Sequence, residues 1–343
     1  MSLLLSFLIP VRDAATRLGA AIDSALAQEQ ASIDFEFEVI VVDDGSRDAS
    51  LEVAMEARSR DTRVRVLATE RLGLVAALNR GLEACRGDFI ARLDADDRAL
   101  PQRLARQLER FARDPSLGVV DGRVRFVGDA KQQVPEGMRR YEAWVNSIVE
   151  PDDFARLRFY ECAVVHPAVT MRRELFAKVG AYRDVGPEDF DLWLRMHEAC
   201  VRFAKVDEVL VEMTDHGARL TRSSPRYTRR AFREVAMIHL EARCLAARRI
   251  VLWGAGKGGR PWLRWLRSIG RTPVAILDID PLKIGAMRGG DVVVRDYRDL
   301  ARIDGDFMLV ALGVHGADDA VRVAVSELRP EWREGLDYFF VVT

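Results

Sequence analysis

The chain has 343 residues, with 52 Lys and Arg against 53 Asp and Glu, for a formal net charge of −1. That length predicts two domains, because single cores seldom grow past about 250–300 residues, and the near-neutral balance removes any bulk-charge case for nucleic acid binding. Hydrophobic residues make up 49% of the chain, which excludes disorder, and the four dispersed cysteines (Cys85, Cys162, Cys200, Cys244) exclude a disulfide scaffold or zinc ribbon and fit a reducing cytosol.

No apolar run approaches the ~20 residues that span a bilayer. The opening Leu3 to Ile9 has no basic residue ahead of it and stops at Pro10, so it reads as a buried strand and not a signal peptide. Residues 13–30 carry Ala14, Leu18, Ala21, Ile22, Ala25 and Leu26 at helical spacing. Phe37 to Val42 is a second strand, ended by Asp43-Asp44-Gly45-Ser46. A helix near 48–59 follows, with Ser46 or Asp48 as its expected cap, and Val64 to Leu67 is a third strand. Leu74 to Cys85 is helical, Phe89 to Leu93 is a fourth strand, and Asp94-Ala95-Asp96-Asp97 ends it. The helix at 100–112 places Pro101 in its first turn. Repeated strand–helix–strand units predict an α/β fold, a doubly wound and mostly parallel sheet with helices on both faces. Ligands of such sheets bind beyond the carboxyl ends of the strands, where both acidic clusters fall.

Three carboxylates within Asp94 to Asp97 repel one another unless something positive is near. A hard divalent cation, Mg²⁺ or Mn²⁺, suits them, since it takes one or two carboxylates and completes its shell with phosphate oxygens and water. The same residues would also serve as an acidic turn at a helix head, as Asp43 and Asp44 would. A third cluster, Pro187-Glu188-Asp189, has the order of a helix start, with acids in the first turn. It reads either as a complement to the helix dipole or as a general base.

Taken together, these segments resemble the family 2 glycosyltransferases of GT-A fold over about residues 3–225. The residues that carry the resemblance are Pro10-Val11-Arg12-Asp13, the Asp43-Asp44-Gly45-Ser46 loop, Gly73 to Gly81, and Gly87 to Asp97. His166-Pro167, Arg172, Gly180 to Arg183 and Glu188-Asp189 complete it. Arg12-Asp13 stands where the family more often has Tyr-Asn. The resemblance implies that Pro10, Asp43, Asp44 and Asp94 contact the donor nucleotide. It implies that Asp96 and Asp97 bind Mn²⁺ or Mg²⁺, and that Asp189 is the catalytic base with Glu188 in support. His216, at the metal, and Arg222, at the diphosphate, match a family loop whose usual tyrosine-arginine is Met213-Thr214 here. The implied activity is inverting transfer from a nucleotide sugar, with uridine diphosphate the expected carrier, to a glycan or glycolipid precursor of a bacterial cell surface. The arginine-tryptophan motif of processive polymerases is absent after Asp191, which implies one sugar per encounter. A cytoplasmic protein, at most peripheral on the inner face of the membrane, is expected.

Between 219 and 249 the composition shifts to nine Arg against Glu234 and Glu241, and its second half is an amphipathic helix. The strand–helix rhythm then restarts with Ile250 to Trp253. Gly254-x-Gly256-x-x-Gly259 follows that strand and opens a helix, and Asp278 ends the next strand, which is the context of a dinucleotide fingerprint. We expect a GT-A domain over 1–245, its last part the Arg-rich connector, and a small Rossmann-like domain over 246–343. The second is read as a docking or oligomerising unit, or as a second nucleotide or anion site at Gly254, Gly256, Gly259 and Asp278. A nucleotidyltransferase would need a Gly-rich loop after the first strand, which Pro10 to Asp13 is not. An NAD(P)-linked enzyme driven by the glycine fingerprint and a catalytically silent sugar-nucleotide binder remain as alternatives.

Overall fold

The computed structural model describes residues 3–30, 32–129, 133–312 and 316–343. The chain forms two compact units, Met1–Phe154 with Ala163–Ser224, and Ala155–Cys162 with Pro225–Thr343.

The first unit opens with β1 (Leu3–Val11), α1 (Ala15–Leu26), β2 (Phe35–Asp44), α2 (Ser50–Arg60), β3 (Val64–Thr69), α3 (Leu74–Ala84) and β4 (Phe89–Arg92). Strands β3, β2, β1 and β4 lie side by side and run parallel. The chain steps outward from β1 to β3, then returns to β4 on the other flank of β1, so a topological switch point lies between β1 and β4. Pro10 helps to open a crevice there. The Leu8 carbonyl accepts from Leu93 N–H. Two residues later Pro10 faces the same side and has no N–H to offer, so the ladder ends and residues 94–97 peel away from β1.

Beyond β4 come β5 (Arg98–Ala99), α4 (Arg103–Arg113), β6 (Leu117–Gly128), α5 (Glu136–Ser147), α6 (Pro151–Leu157), β7 (Thr170–Arg172), α7 (Leu175–Val179), α8 (Glu188–Glu198), β8 (Arg202–Asp215) and α9 (Leu220–Ser223). β7 pairs antiparallel with β4 and with β6, β6 runs parallel to β8, and β5 closes that flank antiparallel to β8. The sequence reading assigns no strand to β6 or β8. Both carry a charge in a buried position, Asp121 and Lys205. These residues are in register on adjacent strands, with Nζ 3.2 Å from the carboxylate.

Two local expectations change. Helix α4 begins at Arg103, with Pro101 in the turn ahead of it. Ala49 occupies the N-cap position of α2, and Asp48 beside it accepts from Ser50 N–H, the first of the helix, at 3.0 Å. The side chains of Ser46 and Asp48 also take the N–H groups of Asp13 and Ala15, at 3.0 and 2.9 Å, and Ser50 takes that of Ala14 at 2.9 Å. Three short polar side chains thus bolt the loop after β2 onto the loop after β1.

The second unit holds α10 (Arg229–Arg243), β9 (Ile250–Trp253), α11 (Gly259–Ser268), β10 (Ala275–Asp278), β11 (Met287–Arg288), β12 (Val292–Asp296), β13 (Phe307–Val310), α12 (Ala317–Leu328) and β14 (Tyr338–Phe340). The sheet order is β11-β12-β10-β9-β13-β14, parallel except at β11. The division at Ser224/Pro225 differs from the expected one near 246 in two ways. The connector helix α10 goes with the second unit, where Arg233 lies close enough to Arg264 of α11 to be repelled by it. An amphipathic helix must bury its apolar face, but its pattern does not say against what. Residues 155–162 also join the second unit. Phe159 is buried, its ring edge-on to Phe339 at 5.1 Å, and its carbonyl accepts from Val342 N–H at 2.9 Å. Arg156 pairs with Glu334 at 3.0 Å.

Phe159→Ala should destabilise the second unit by about 3–5 kcal/mol through the cavity it leaves. Hydrogen exchange should rise across Phe307–Val310 and Tyr338–Phe340; unchanged protection there would show that residues 155–162 are not part of that core.

Candidate active site

The end of β2 supplies Asp43 and Asp44, both buried. Asp44 is fully occupied by its own fold. Its carboxylate accepts from Leu72 N–H at 2.7 Å and Gly73 N–H at 3.0 Å, and Arg12 lies 3.4 Å away. It therefore fixes the loop that leads into α3, where Gly73 holds a φ of +94°. Asp43 accepts from Ser46 N–H at 3.2 Å through one oxygen. Its other oxygen, Oδ1, is buried and has no hydrogen-bond partner among the described residues. Pro10 lies one residue before Val11, the register partner of Asp43.

The end of β4 supplies Asp94, Asp96 and Asp97, whose carboxylate oxygens lie within 4.8 Å of one another. Asp97 is buried; one oxygen accepts from Thr214 N–H at 2.9 Å, and the other, Oδ2, has no partner among the described residues. Burial, then Asp94 and Asp96, push its carboxyl well above the usual range, over the opposing effects of Arg219 and the Thr214 N–H. His216, just past β8, sets Nε2 2.6 Å from Asp96 Oδ2, and its Nδ1 is a further buried atom without a partner among the described residues. The residues that the sequence assigns to a metal, Asp96 and Asp97 from one loop and His216 from another, thus lie together, and Asp94, assigned there to the donor, joins the same cluster. These residues fit a divalent cation: clustered carboxylates, one with its carboxyl pushed well up by burial and by its acidic neighbours, and a buried imidazole nitrogen beside them. Arg222 pairs with Asp215, at 2.8 Å, which holds it beside the same loop.

Glu188 and Asp189 open α8. Glu188 is buried, and Asp189 is half-buried with Oδ1 accepting from Phe190 N–H at 2.7 Å. Asp189 is pushed up to about 7, by burial first and then by Glu188, against the Phe190 N–H and Arg92, which lower it. The start of α8 is held by Arg195 and Asp191. Arg195 donates to Asp191 at 2.8 Å and to the Ala181 carbonyl at 2.9 Å, and Asp191 also receives Arg183. Asn79 of α3 exchanges two 2.9 Å bonds with the Tyr182 backbone. Tyr182 in turn places its hydroxyl 2.9 Å from His166 Nε2, and His166 is kept neutral by burial and by Arg92.

The sequence reading gave no role to Arg92 or Arg103. Arg92 is buried on β4 with Nη1 2.5 Å from Asp94. Arg103 is fully buried on α4 and donates to the carbonyls of Arg92, Pro167 and Val169 at 2.7, 3.0 and 3.0 Å. A basic residue inside the apolar run Phe89 to Leu93 was the one available signal.

In the second unit the fingerprint residues have intramolecular partners. A Cβ on Gly254 would lie 2.3 Å from the Ala311 carbonyl oxygen, and one on Gly259 would lie 1.7 Å from that of Gly254. At Gly256 the nearest atom to such a Cβ would be Lys283 Nζ, at 3.7 Å. Asp278 accepts from Ala255 N–H at 2.9 Å and receives Lys283 at 3.3 Å.

The family model described as glycosyl transferase family 2 matches residues 6–180. The chain is 30% identical over 223 residues to the O-antigen biosynthesis protein RfbC of Myxococcus xanthus, covering 63% of this chain and 16% of that one. It is 27% identical over 213 residues to the O-antigen biosynthesis glycosyltransferase WbnJ of Escherichia coli, covering 60% and 78%. A solved structure of the mannosyltransferase PcManGT from Pyrobaculum calidifontis, with GDP-Man and Mn²⁺, superposes at a TM-score of 0.50 and 18% identity, over 71% and 64% of the chains. That last likeness is one of fold. No helix among the described residues is long and apolar enough to cross a membrane.

Asp44→Ala strands two backbone N–H groups, which should cost about 1–3 kcal/mol of stability. Exchange of the Leu72 and Gly73 amides should accelerate; if those amides exchange as in the parent, the carboxylate does not hold the loop.

Proposed function

The chain belongs to glycosyl transferase family 2, and on that footing we propose that it moves one sugar per encounter from a nucleotide donor to a hydroxyl, with inversion at the anomeric carbon. The observation that carries this reading is the acidic cluster at the end of β4, its oxygens within 4.8 Å, with Asp97 Oδ2 and His216 Nδ1 beside it and without partners among the described residues. Asp94, Asp96, Asp97 and His216 would hold Mn²⁺ or Mg²⁺. A cation there supplies Lewis-acid stabilisation of charge on the departing diphosphate. Arg222 and Arg219, on the same loop, add fixed positive charge.

Asp43 Oδ1 is the base-reading atom in this proposal. A buried acceptor with no donor suits the imide N–H of uracil or the ring N–H of guanine, and suits cytosine and adenine poorly, because their corresponding ring nitrogens are acceptors. Uridine diphosphate is our first choice of carrier. Asp44 supports the loop beneath. The names of both O-antigen relatives support a glycan or glycolipid precursor of a surface polysaccharide as acceptor.

Asp189 is the proposed base. As the acceptor oxygen attacks and the glycosidic bond to the diphosphate breaks, the hydroxyl proton passes to Asp189. The anomeric carbon carries oxocarbenium character meanwhile, as in glycoside cleavage. A carboxyl raised to about 7 is matched to work near neutral pH. Glu188 and Asp189 interact, so the midpoint belongs to the pair. The folded state binds this proton more tightly than the unfolded chain does. The carboxyl's contribution to stability is therefore present below the ordinary carboxylate range and is lost as pH rises through about 7.

A panel of sugar nucleotides, with thermal stabilisation and Mn²⁺-dependent transfer as readouts, tests the reading. Asp96→Ala should abolish Mn²⁺-dependent donor binding with the fold intact; unchanged donor affinity would remove the cation from this loop. Asp189→Asn should lower transfer by about 10²–10⁴ and leave donor binding in place. In the parent, transfer should fall about tenfold per pH unit below a midpoint near neutrality. A greater loss in Glu188→Gln than in Asp189→Asn would reverse the two roles.

A further inference from the structure

Among the described residues, Asp13, Cys200 and Ala247 hold a positive φ without being glycine, and of these Asp13, at +52°, sits in the loop just past β1. A short polar side chain tolerates the left-handed region better than other non-glycine residues, but the conformation persists only where surrounding structure enforces it. Here the loop after β2 enforces it. The Asp13 N–H donates to Ser46 Oγ at 3.0 Å, and the Asp13 carboxylate accepts from Arg47 N–H at 2.7 Å. Asp13 thus grips two successive residues of that loop, one with its backbone and one with its side chain. The neighbouring bonds from Ala14 and Ala15 end further along, on Ser50 and Asp48, and do not reach Ser46.

Ser46 in turn orients Asp43. The Asp43 backbone is fixed inside the sheet, with Val11 and Ala68 as its register partners and its carbonyl accepting from Thr69 Oγ1 at 3.1 Å. The sheet does not fix its side chain. Among the described residues the one donor to that carboxylate is Ser46 N–H, 3.2 Å from Oδ2, so the place of that N–H decides where Oδ1 points. Ser46 carries both links: its N–H goes to Asp43 and its hydroxyl receives Asp13. Just before it, Gly45 has a φ of +61°, and a Cβ there would lie 2.8 Å from Arg71 N. Backbone therefore closes that side of the loop, and Asp13 holds the other.

We propose that Asp13 is a positioning residue for nucleotide recognition: from the left-handed region it fixes Ser46 and Arg47, and through the Ser46 N–H it aims Asp43 Oδ1 at the base of the donor. This rests on the reading of Asp43 Oδ1 as the base-reading atom. The ligand class is a nucleoside diphosphate whose base presents a ring N–H, uridine or guanosine, and not cytidine. The device works by geometry and not by charge, since Asp13 only accepts one backbone N–H, which an amide oxygen does as well.

The test measures the dissociation constants of uridine, guanosine and cytidine diphosphate for the full chain with Mn²⁺. Its readout is the ratio of the cytidine value to the tighter of the other two. Asp13→Ala loses the bond to Arg47 and strains an alanine at positive φ, so the ratio should fall about tenfold. Asp13→Asn keeps an acceptor and tolerates the same φ, so it should hold the ratio within about twofold. A merely structural role would weaken the three nucleotides alike and leave the ratio unchanged. A folded Asp13→Ala variant with the parental ratio therefore overturns the proposal, whatever its melting temperature. An Asp13→Asn variant that loses the ratio as alanine does also overturns it. If Asp13→Ala does not fold, Ser46→Ala decides, because it removes the hydroxyl that receives Asp13: a fallen ratio supports the proposal and a parental one overturns it. Failure of the underlying reading looks different. A parent that binds cytidine diphosphate as tightly as the other two shows that Asp43 does not read the base, and the proposal falls with that assignment.

Discussion

The placement of the site depends on one buried guanidinium. Arg103 leaves α4 and enters the space behind β4 with no solvent contact, over the face of Phe7 at 5.5 Å. Burial and the neighbouring Arg92 lower its pKa to about 9, which still leaves it charged at neutral pH. Its N–H groups reach the carbonyls of Arg92, Pro167 and Val169, so it joins the last residue of β4 to the turn that holds His166. Gln107, one helical turn on, extends the same seam. It donates to the carbonyls of Val120 and Ala168, each at 2.8 Å, and accepts from Thr170 at 2.6 Å. A charge placed among carbonyls with no carboxylate in direct contact is costly unless each donor is met. Here the donors are met by the strand ends whose loops carry the acidic residues.

The acids around the crevice divide into two classes by what they touch. Asp191 receives two arginines, and Asp44 receives two backbone N–H groups and an arginine. These carboxylates shape loops. Asp43 Oδ1, Asp97 Oδ2 and His216 Nδ1 are buried with no partner among the described residues. Each such atom costs about 1–3 kcal/mol, and native folds keep few of them. Three of them next to the carboxyl ends of β2, β4 and β8 mark where the polypeptide leaves hydrogen-bonding capacity for something it does not itself supply.

Much of this was legible in the sequence, and the reasons differ by element. The alternation from β1 to β4 is written in apolar runs such as Phe37 to Val42, because strands buried on both faces carry little else. The acid clusters stand out because they break those runs at their ends. Strands β6 and β8 were hidden by Asp121 and Lys205, whose pairing across the sheet cannot be read one strand at a time. The separate jobs of Asp43 and Asp44 were hidden too, since the dipeptide does not say which carboxylate the 71–73 loop will occupy. Arg103 looks like an ordinary surface arginine until its burial is known, and Arg92 is marked only by its interruption of an apolar run. The boundary between units differs from the expected one for a related reason: residues 155–162 pack against a sheet whose strands lie far downstream, and no local pattern records that.

The glycine fingerprint of the second unit shows how far such a motif can be carried. Gly254 adopts a φ of +126°, and its missing Cβ lets the Ala311 carbonyl approach; Gly259 packs on Gly254 itself. Those two glycines are demanded by the turn from β9 into α11 whether or not anything binds there. Asp278 is engaged by the Ala255 N–H and by Lys283, and Lys283 Nζ stands beside Gly256. The cavity next to the loop, lined by Gly254, Ala255, Gly259 and Arg288, measures about 10 Å³, scarcely the room of one water molecule. The backbone geometry that lets a strand turn tightly into a helix and the geometry that receives a pyrophosphate ask for the same glycines. The motif therefore establishes the turn, while a ligand at this loop would have to move the Lys283 ammonium from the space over Gly256.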